Sequence, residues 1–161
     1  MELEDIKPPP WITIKENVMK SVATFVLLSY PLQNYAHTRN WIDFEVGLSC
    51  MANKPVWVCE ALNEQIDFAV PYCTHYCPYD PDPNNAAEVK RLKWYIDMYA
   101  GLGPATPIYR APMVKCPKDT CGLAFGMMAD VESFRCPSCR TGLRWNKSTK
   151  KAELNEGGWI L

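Results

Sequence analysis

The hydrophobic positions of this chain change their spacing from one segment to the next. A continuous apolar run over 22–28, rich in β-forming residues, predicts a strand buried on both faces, and the run over 55–62 predicts a second one. Between these runs, four apolar residues recur at helical spacing, namely Trp41, Phe44, Leu48 and Ala52. This spacing predicts an amphipathic helix with Asn40 as its N-cap. Strand, helix and strand within about forty residues predict a βαβ unit and therefore a parallel α/β sheet.

Three further segments carry weaker structural signals. Thr13 begins a capping-box pattern, which predicts a short helix over 14–20. The same pattern at Asn85 predicts a helix that ends at Gly101. The segment DFAVPY, residues 67–72, is consistent with a short edge strand.

Charge and cysteine content both change partway along the chain. We predict an α/β domain over 1–100, a Gly/Pro linker over 101–112, and a cysteine module with its tail over 113–161. Residues 1–109 hold 8 Lys/Arg and 13 Asp/Glu, a net charge of −5, whereas residues 110–151 hold 9 and 3, a net charge of +6. The cysteine module is therefore basic, although the whole chain has a net charge of −1.

Four of the eight cysteines form two close pairs, Cys116 with Cys121 and Cys136 with Cys139. Four residues separate the first pair, two separate the second, and fourteen lie between the pairs. Cysteine pairs on two turns are typical ligands of tetrahedral structural zinc sites, and the N-terminus does not resemble a signal peptide that would favour disulfides. We therefore predict one structural zinc ion. Four thiolate ligands leave no coordination position for water, so this zinc would not be catalytic.

The cysteine module resembles the zinc-ribbon family over residues 113–146. Eight cations lie in or beside it, namely Lys115, Lys118, Arg135, Arg140, Arg144, Lys147, Lys150 and Lys151. With Phe125, Phe134 and Trp145 they suggest a surface that binds nucleic acid or a protein partner. Alternatively, the cations offset the doubly negative zinc–thiolate centre and keep a small domain soluble.

The other four cysteines are less informative. Cys73, His75 and Cys77 alternate, which on a strand would place all three on one side and make a second metal site conceivable. The alternative is that these thiols, like Cys50 and Cys59, are small buried side chains of a hydrophobic core.

No apolar run approaches the roughly twenty residues of a membrane span, and the N-terminal segment MELEDIKPPP is acidic and proline-rich. The composition, 48% hydrophobic and 22% charged, is that of a globular protein. We therefore predict a soluble chain without a membrane partner, located in the reducing cytoplasm.

The segment FVLLSYPLQNYAHTRNWIDFEVGLSCMANKPVWVCE, residues 25–60, resembles the later half of a TIR domain, the Toll/interleukin receptor homology fold. Ser29 after the buried strand, Trp41, and Glu45 four residues later match the motif of that family. The resemblance implies a flavodoxin-like sheet that recognises an NAD-like nucleotide near Ser29 and Trp41. It also implies that Glu45 is the catalytic carboxylate, which stabilises positive charge on the ribose as the nicotinamide bond breaks.

Alternatives to this activity stay open at the sequence level. Other TIR domains are non-catalytic adaptors, and a glutamate near the start of a helix is ordinary helix chemistry. The upstream strands of the family are missing, so the resemblance implies a domain incomplete at its N-terminus. Either the chain is a fragment or short-start version of a larger protein, or a second copy or partner subunit completes the sheet at its open edge, or the fold has degenerated. The leading hypothesis is a TIR-like nucleotide-recognition module, an NAD glycohydrolase if Glu45 is catalytic. The alternative is a non-catalytic interaction or adaptor protein.

Overall fold

The computed structural model describes residues 9–61, 64, 66–82, 84–100, 111–128 and 130–155. Its helices and strands follow in the order α1 (Pro10–Lys20), β1 (Thr24–Leu28), α2 (Ala36–Met51), β2 (Val56–Ala61), β3 (His75–Tyr79), α3 (Ala86–Ala100), β4 (Met113–Lys115), β5 (Ala124–Met127), β6 (Ser133–Arg135), β7 (Gly142–Asn146) and β8 (Lys151–Leu154). A 3-10 helix, Tyr30–Asn34, joins β1 to α2. Most of the predicted linker, residues 101–110, lies outside the described residues.

Five strands form one mostly parallel sheet in the order β1-β2-β3-β5-β4. Thr24–Leu28 pairs in parallel with Val56–Glu60, and Trp57–Ala61 pairs in parallel with His75–Tyr79. At the far edge, β4 runs antiparallel to β5. The predicted βαβ unit is confirmed as β1-α2-β2, and the chain is a mixed α/β protein.

The first hairpin of the cysteine module belongs to this parallel sheet. β5 pairs with β3, with His75 opposite Gly126 and Tyr76 opposite Met127. A Cβ atom on Gly126 would lie 2.8 Å from the Cβ of Ala111 and 3.0 Å from the His75 ring, so glycine allows the close approach of the backbone here. The other three strands of the module, β6, β7 and β8, form a separate antiparallel sheet.

Two hydrophobic clusters hold the layers together. The larger runs from the strands beneath α2 to the small sheet and includes Val26, Val46, Val58, Tyr76, Phe125, Phe134 and Leu143. The smaller lies under α3 on the opposite side of β2 and includes Trp57, Cys59, Cys77, Tyr95 and Ala111. Because adjacent residues of β2 belong to different clusters, this strand is buried on both faces, as its sequence predicts. The same prediction is wrong for β1, because this edge strand leaves Phe25 and Leu27 exposed on one face.

The predicted N-terminal caps of α1 and α2 are wrong. α1 begins at Pro10, because proline is preorganised for the first helical position, and Thr13 lies inside the helix. α2 begins at Ala36, directly after the 3-10 helix, so Asn40 lies inside it and does not cap it. The cap predicted at Asn85 is confirmed, since its Oδ1 accepts a hydrogen bond from the backbone N–H of Glu88 at 3.1 Å.

The edge strand predicted over 67–72 is also wrong. This segment is irregular, although Ile66, Phe68 and Val70 are buried alternately. The backbone N–H of Val70 donates to the carbonyl of Pro137, between the second pair of cysteines, at 2.8 Å. The alternating pattern therefore reflects packing against the cysteine module and not a strand ladder.

Candidate metal centre and basic cleft

The two cysteine pairs meet at one point. Cys116 and Cys121 lie in the turn between β4 and β5, and Cys136 and Cys139 lie in the turn between β6 and β7. All four Sγ atoms lie within 4.8 Å of one another, with 3.8 Å between Cys116 and Cys139 and 3.7 Å between Cys121 and Cys136. Tetrahedral ligands about 2.3 Å from zinc are about 3.8 Å apart, whereas a disulfide needs about 2.0 Å. The spacing fits a metal ion bound by four thiolates.

Each cysteine turn is built by the same backbone geometry. We call residues 116–122 the first knuckle and residues 136–140 the second knuckle. The residue after the last cysteine of each knuckle has a left-handed backbone, with φ of 59° at Gly122 and 60° at Arg140. In the second knuckle the N–H of Arg140 donates to the carbonyl of Cys136 at 3.0 Å. The turns thereby direct each pair of sulfur atoms to the same side.

The thiols of the centre differ in acidity. Burial raises the pKa of Cys116 to about 11 and raises the pKa of Cys136 as well. Burial also opposes ionisation of Cys139, but hydrogen bonds with Thr141 and neighbouring cysteines outweigh it and lower this pKa to about 6. A divalent cation would favour all four thiolates, because its charge compensates for the burial.

Arg140 connects the second knuckle to the parallel sheet. Its Nη1 lies 3.0 Å from Oε2 of Glu60, and its Nη2 donates to Oε1 of the same carboxylate. Nη2 also donates to the carbonyl of Ile66 at 2.7 Å, and the Tyr76 hydroxyl donates to Oε2 of Glu60 at 2.8 Å. Sequence reasoning missed this buried network, because nothing in the order of residues pairs positions 60 and 140.

A cleft of about 490 Å³ opens beside the first knuckle. The knuckle forms one wall, β4 and Trp145 add to the lining, and the start of β8 closes the other side. The charged residues of the lining are Lys115, Lys118, Asp119, Lys150 and Lys151, which give it a net charge of +3. The cleft is therefore a local positive site on a chain of net charge −1.

Seven of the eight cations of the cysteine module fall into two groups. Arg140, Arg144 and Lys147 form ion pairs with Glu60, Glu153 and Glu132 respectively. In the described part of the chain, no carboxylate forms an ion pair with any of the four cleft lysines, all of which are exposed. The positive charge of the cleft thus lacks a partner within those residues.

Lys150 has a backbone conformation that lysine rarely adopts. Its φ is 53°, in the left-handed region where a Cβ atom is unfavourable. The preceding turn is held by Asn146, whose Oδ1 accepts hydrogen bonds from the N–H groups of Ser148 and Thr149 at 2.9 Å and 3.1 Å. Glycine would relieve the backbone at position 150, so the lysine side chain has a cost for folding.

Glu45 lies in the middle of α2 and not in its first turns. It borders an open cavity of about 220 Å³ that is also lined by Ser21, Ala23 and Thr24, where β1 begins. One turn further along α2, the Ser49 hydroxyl lies 2.7 Å from that of Thr24. Burial raises the pKa of Glu45, whereas a position at the start of a helix would lower the pKa of a carboxyl group.

Of the other two residues of the TIR-like motif, Ser29 lies apart from this cavity and Trp41 contacts other side chains of α2. Ser29 follows the last residue of β1, so the strand length of roughly 16 Å separates it from Thr24. Trp41 donates its indole N–H to Nε2 of His37 at 2.8 Å, and its ring contacts Phe44 edge-on. The structure therefore places Ser29 and the Glu45 cavity at opposite ends of β1.

Cys73, His75 and Cys77 do not form a second metal site. Among the described residues, the Cys116, Cys121, Cys136 and Cys139 group is the one set of three or more potential ligands close enough to hold an ion. His75 stacks on Trp57 with ring centroids 4.1 Å apart, and Cys73 and Cys77 are buried. These residues belong to the packing of the sheet, as the alternative prediction has it, but the burial predicted for Cys50 is wrong, because its side chain is exposed.

Comparisons with known proteins add no assignment to this geometry. No family model, no curated protein and no solved structure matches the chain. The TIR-like resemblance therefore stays a prediction from the segment 25–60. Among the described helices, none has both the length and the apolar character needed to cross a bilayer.

Proposed function

We propose that this protein binds nucleic acid through the basic cleft beside its cysteine centre. The observation that carries the proposal is the set of four exposed lysines, unpaired within the described residues, that line one cleft while neighbouring cations form ion pairs. Phosphate groups are the ligands that such an arrangement attracts, and the metal in the centre would be zinc, as the sulfur spacing suggests. In this proposal the zinc is structural.

Two features of the cleft favour nucleic acid over a purely solubilising role for the lysines. Lys150 occupies a backbone conformation that favours glycine, and such costs cluster at functional positions. The cleft also contains exposed apolar side chains, those of Met113 and Pro117, that can meet sugar and base surfaces. Cations and apolar surface side by side match the two chemical parts of a nucleotide. The predicted stacking role of Phe125, Phe134 and Trp145 is wrong, because all three side chains are buried in the core.

The test is fluorescence anisotropy of the zinc-loaded chain with labelled RNA and DNA of about twenty nucleotides, single-stranded and duplex, at increasing salt. The logarithm of the binding constant should fall linearly with the logarithm of the salt concentration, because binding releases counterions from the nucleic acid. Lys150→Gly should weaken binding about three- to tenfold and reduce the salt slope by about one. Lys147→Ala is the matched control, because Lys147 lies nearby but is paired with Glu132.

The alternative role of the lysines, to offset the negative metal centre, gives a different result in the same variants. If Lys115 and Lys118 offset the negative charge of the metal centre, replacing both by alanine should lower zinc affinity. In that case neither the wild type nor the variants should bind nucleic acid. If they serve nucleic acid, zinc affinity should stay constant while binding falls. Equal nucleic acid affinity in the wild type and in Lys150→Gly would contradict the proposal.

The NAD hypothesis has less support from the geometry. β1, β2 and β3 follow one another in the sheet, as the last three strands of a flavodoxin-like sheet do, which is consistent with the TIR-like resemblance. However, the Glu45 cavity lies at the amino end of β1, whereas ligands of parallel sheets bind beyond the carboxyl ends. We therefore expect no release of nicotinamide from NAD by the wild type or by Glu45→Ala, measured by chromatography.

A further inference from the structure

The second knuckle supplies a counter-ion to a carboxylate in the middle of the parallel sheet. Glu60 lies near the end of β2, and its carboxylate is bound by the Arg140 guanidinium and the Tyr76 hydroxyl. The side chains of Arg140 and Glu60 are 9% and 5% exposed. Nearly all of this ion pair is therefore removed from water, although its partners lie in different parts of the chain.

Forming a buried ion pair and losing one of its partners change the stability of the protein by unequal amounts. The attraction between its charges roughly offsets the cost of removing them from water, so the intact pair adds little net stability. Loss of one partner, however, leaves an uncompensated charge in a poorly solvated place and is strongly destabilising. Glu60 is consequently sensitive to anything that displaces Arg140.

The position of Arg140 depends on the metal ligands beside it. Arg140 directly follows Cys139, has a left-handed backbone, and donates its N–H to the carbonyl of Cys136. Without a cation, the four sulfur atoms that lie within 4.8 Å of one another have no common ligand to hold the two knuckles together. Metal loss therefore removes the geometry that directs Arg140 towards Glu60.

We infer that the four-cysteine centre controls the order of the parallel sheet through Arg140. Bound metal keeps the guanidinium on Glu60 and on the carbonyl of Ile66, whereas metal loss leaves Glu60 as a buried carboxylate without its counter-ion. Metal loss also releases the hydrogen bond from the N–H of Val70 to the carbonyl of Pro137. The responding elements are β2 and residues 66–70, outside the cysteine module. This inference does not rest on the proposed nucleic acid function.

The experiment is hydrogen exchange of the full chain, read by mass spectrometry, before and after zinc is removed with a chelator. In the wild type, peptides covering 56–61 and 66–70 should lose protection by about tenfold or more together with those of the cysteine module. Exchange in 56–61 that stays unchanged, while 113–146 loses protection, would overturn the inference. This measurement needs no variant.

Two variants assign the effect to the ion pair. Glu60→Gln/Arg140→Met removes both charges, so chelation should leave 56–61 protected within about twofold while the cysteine module still opens. Arg140→Met alone should deprotect 56–61 with one zinc still bound, because it leaves Glu60 without its partner. If the double variant responds to chelation as the wild type does, the signal travels through other contacts and the role of Arg140 is refuted.

Discussion

Left-handed backbone at Arg140 and Lys150 shows how single residues depart from the pattern that the sequence displays. Both positions favour glycine, and both carry cations instead. Arg140 uses its side chain in a buried ion pair, whereas Lys150 directs a charge to the cleft. Neither conformation could be predicted, because neither position holds the glycine or asparagine that usually marks a left-handed turn.

The stability of the Lys150→Gly variant tests whether this lysine is kept for binding. Glycine should leave the free energy of unfolding unchanged or raise it by up to about 1 kcal/mol, because it relieves an unfavourable φ. Urea denaturation of the zinc-loaded protein measures this value. A variant that loses stability and binding together would indicate that Lys150 matters for the fold instead.

His75 should make the stability of the protein depend on pH. Burial against Trp57 lowers the pKa of His75 to about 4, below the usual 6.5 of an unfolded chain. The neutral ring is favoured in the folded state, so the stabilisation is complete above pH 6.5 and is lost as pH falls from 6.5 towards 4. After allowance for solvent screening, we expect a loss of about 1–2 kcal/mol.

The measurement compares thermal unfolding of the wild type and His75→Phe between pH 7 and pH 5. Phenylalanine keeps the ring that stacks on Trp57 but cannot be protonated. Acid would also weaken the binding of a metal ion by the cysteines, but to the same extent in both proteins, so the difference between their pH profiles reports His75. Parallel profiles would show that His75 does not titrate in this range.

The sequence predicts helices and strands most reliably where a hydrophobic pattern is local and repeated. The two apolar runs and the helical spacing between them are such patterns, and they predicted β1, α2 and β2. The caps at Thr13 and Asn40 failed because proline and a 3-10 helix start α1 and α2 one turn earlier. The pairing of β5 with β3 joins distant segments, which periodicity alone cannot reveal.

The caps at Asn85 and Asn40 give a matched pair of substitutions. Asn85→Ala should lower the free energy of unfolding by about 1 kcal/mol, because the N–H of Glu88 loses its acceptor. Asn40→Ala should change it by less than about 0.5 kcal/mol, because Asn40 is an exposed residue inside α2. Chemical denaturation of the two zinc-loaded variants compares them directly. Equal losses would mean that the two asparagines contribute alike and that Asn85 is not a cap.

Metal content is the prediction for the molecule as a whole. Elemental analysis of the purified chain should give one zinc per molecule, and Cys136→Ser should reduce this number and lower the melting temperature. Cys73→Ser should retain one zinc, because Cys73 lies outside the four-cysteine group. The spacing of the four ligands was readable from the sequence, whereas their connection to β2 was not. Two zinc ions per chain would contradict the single centre.

A ribosome makes β3 long before it makes β5, although the two strands are neighbours in the finished sheet. During that interval His75–Tyr79 would present an open edge, and open strand edges tend to pair with other chains. A chain truncated within 101–110 would keep this edge open permanently. We expect such a fragment to aggregate at concentrations where the whole chain stays dispersed, because the cysteine module covers the edge of the sheet that precedes it.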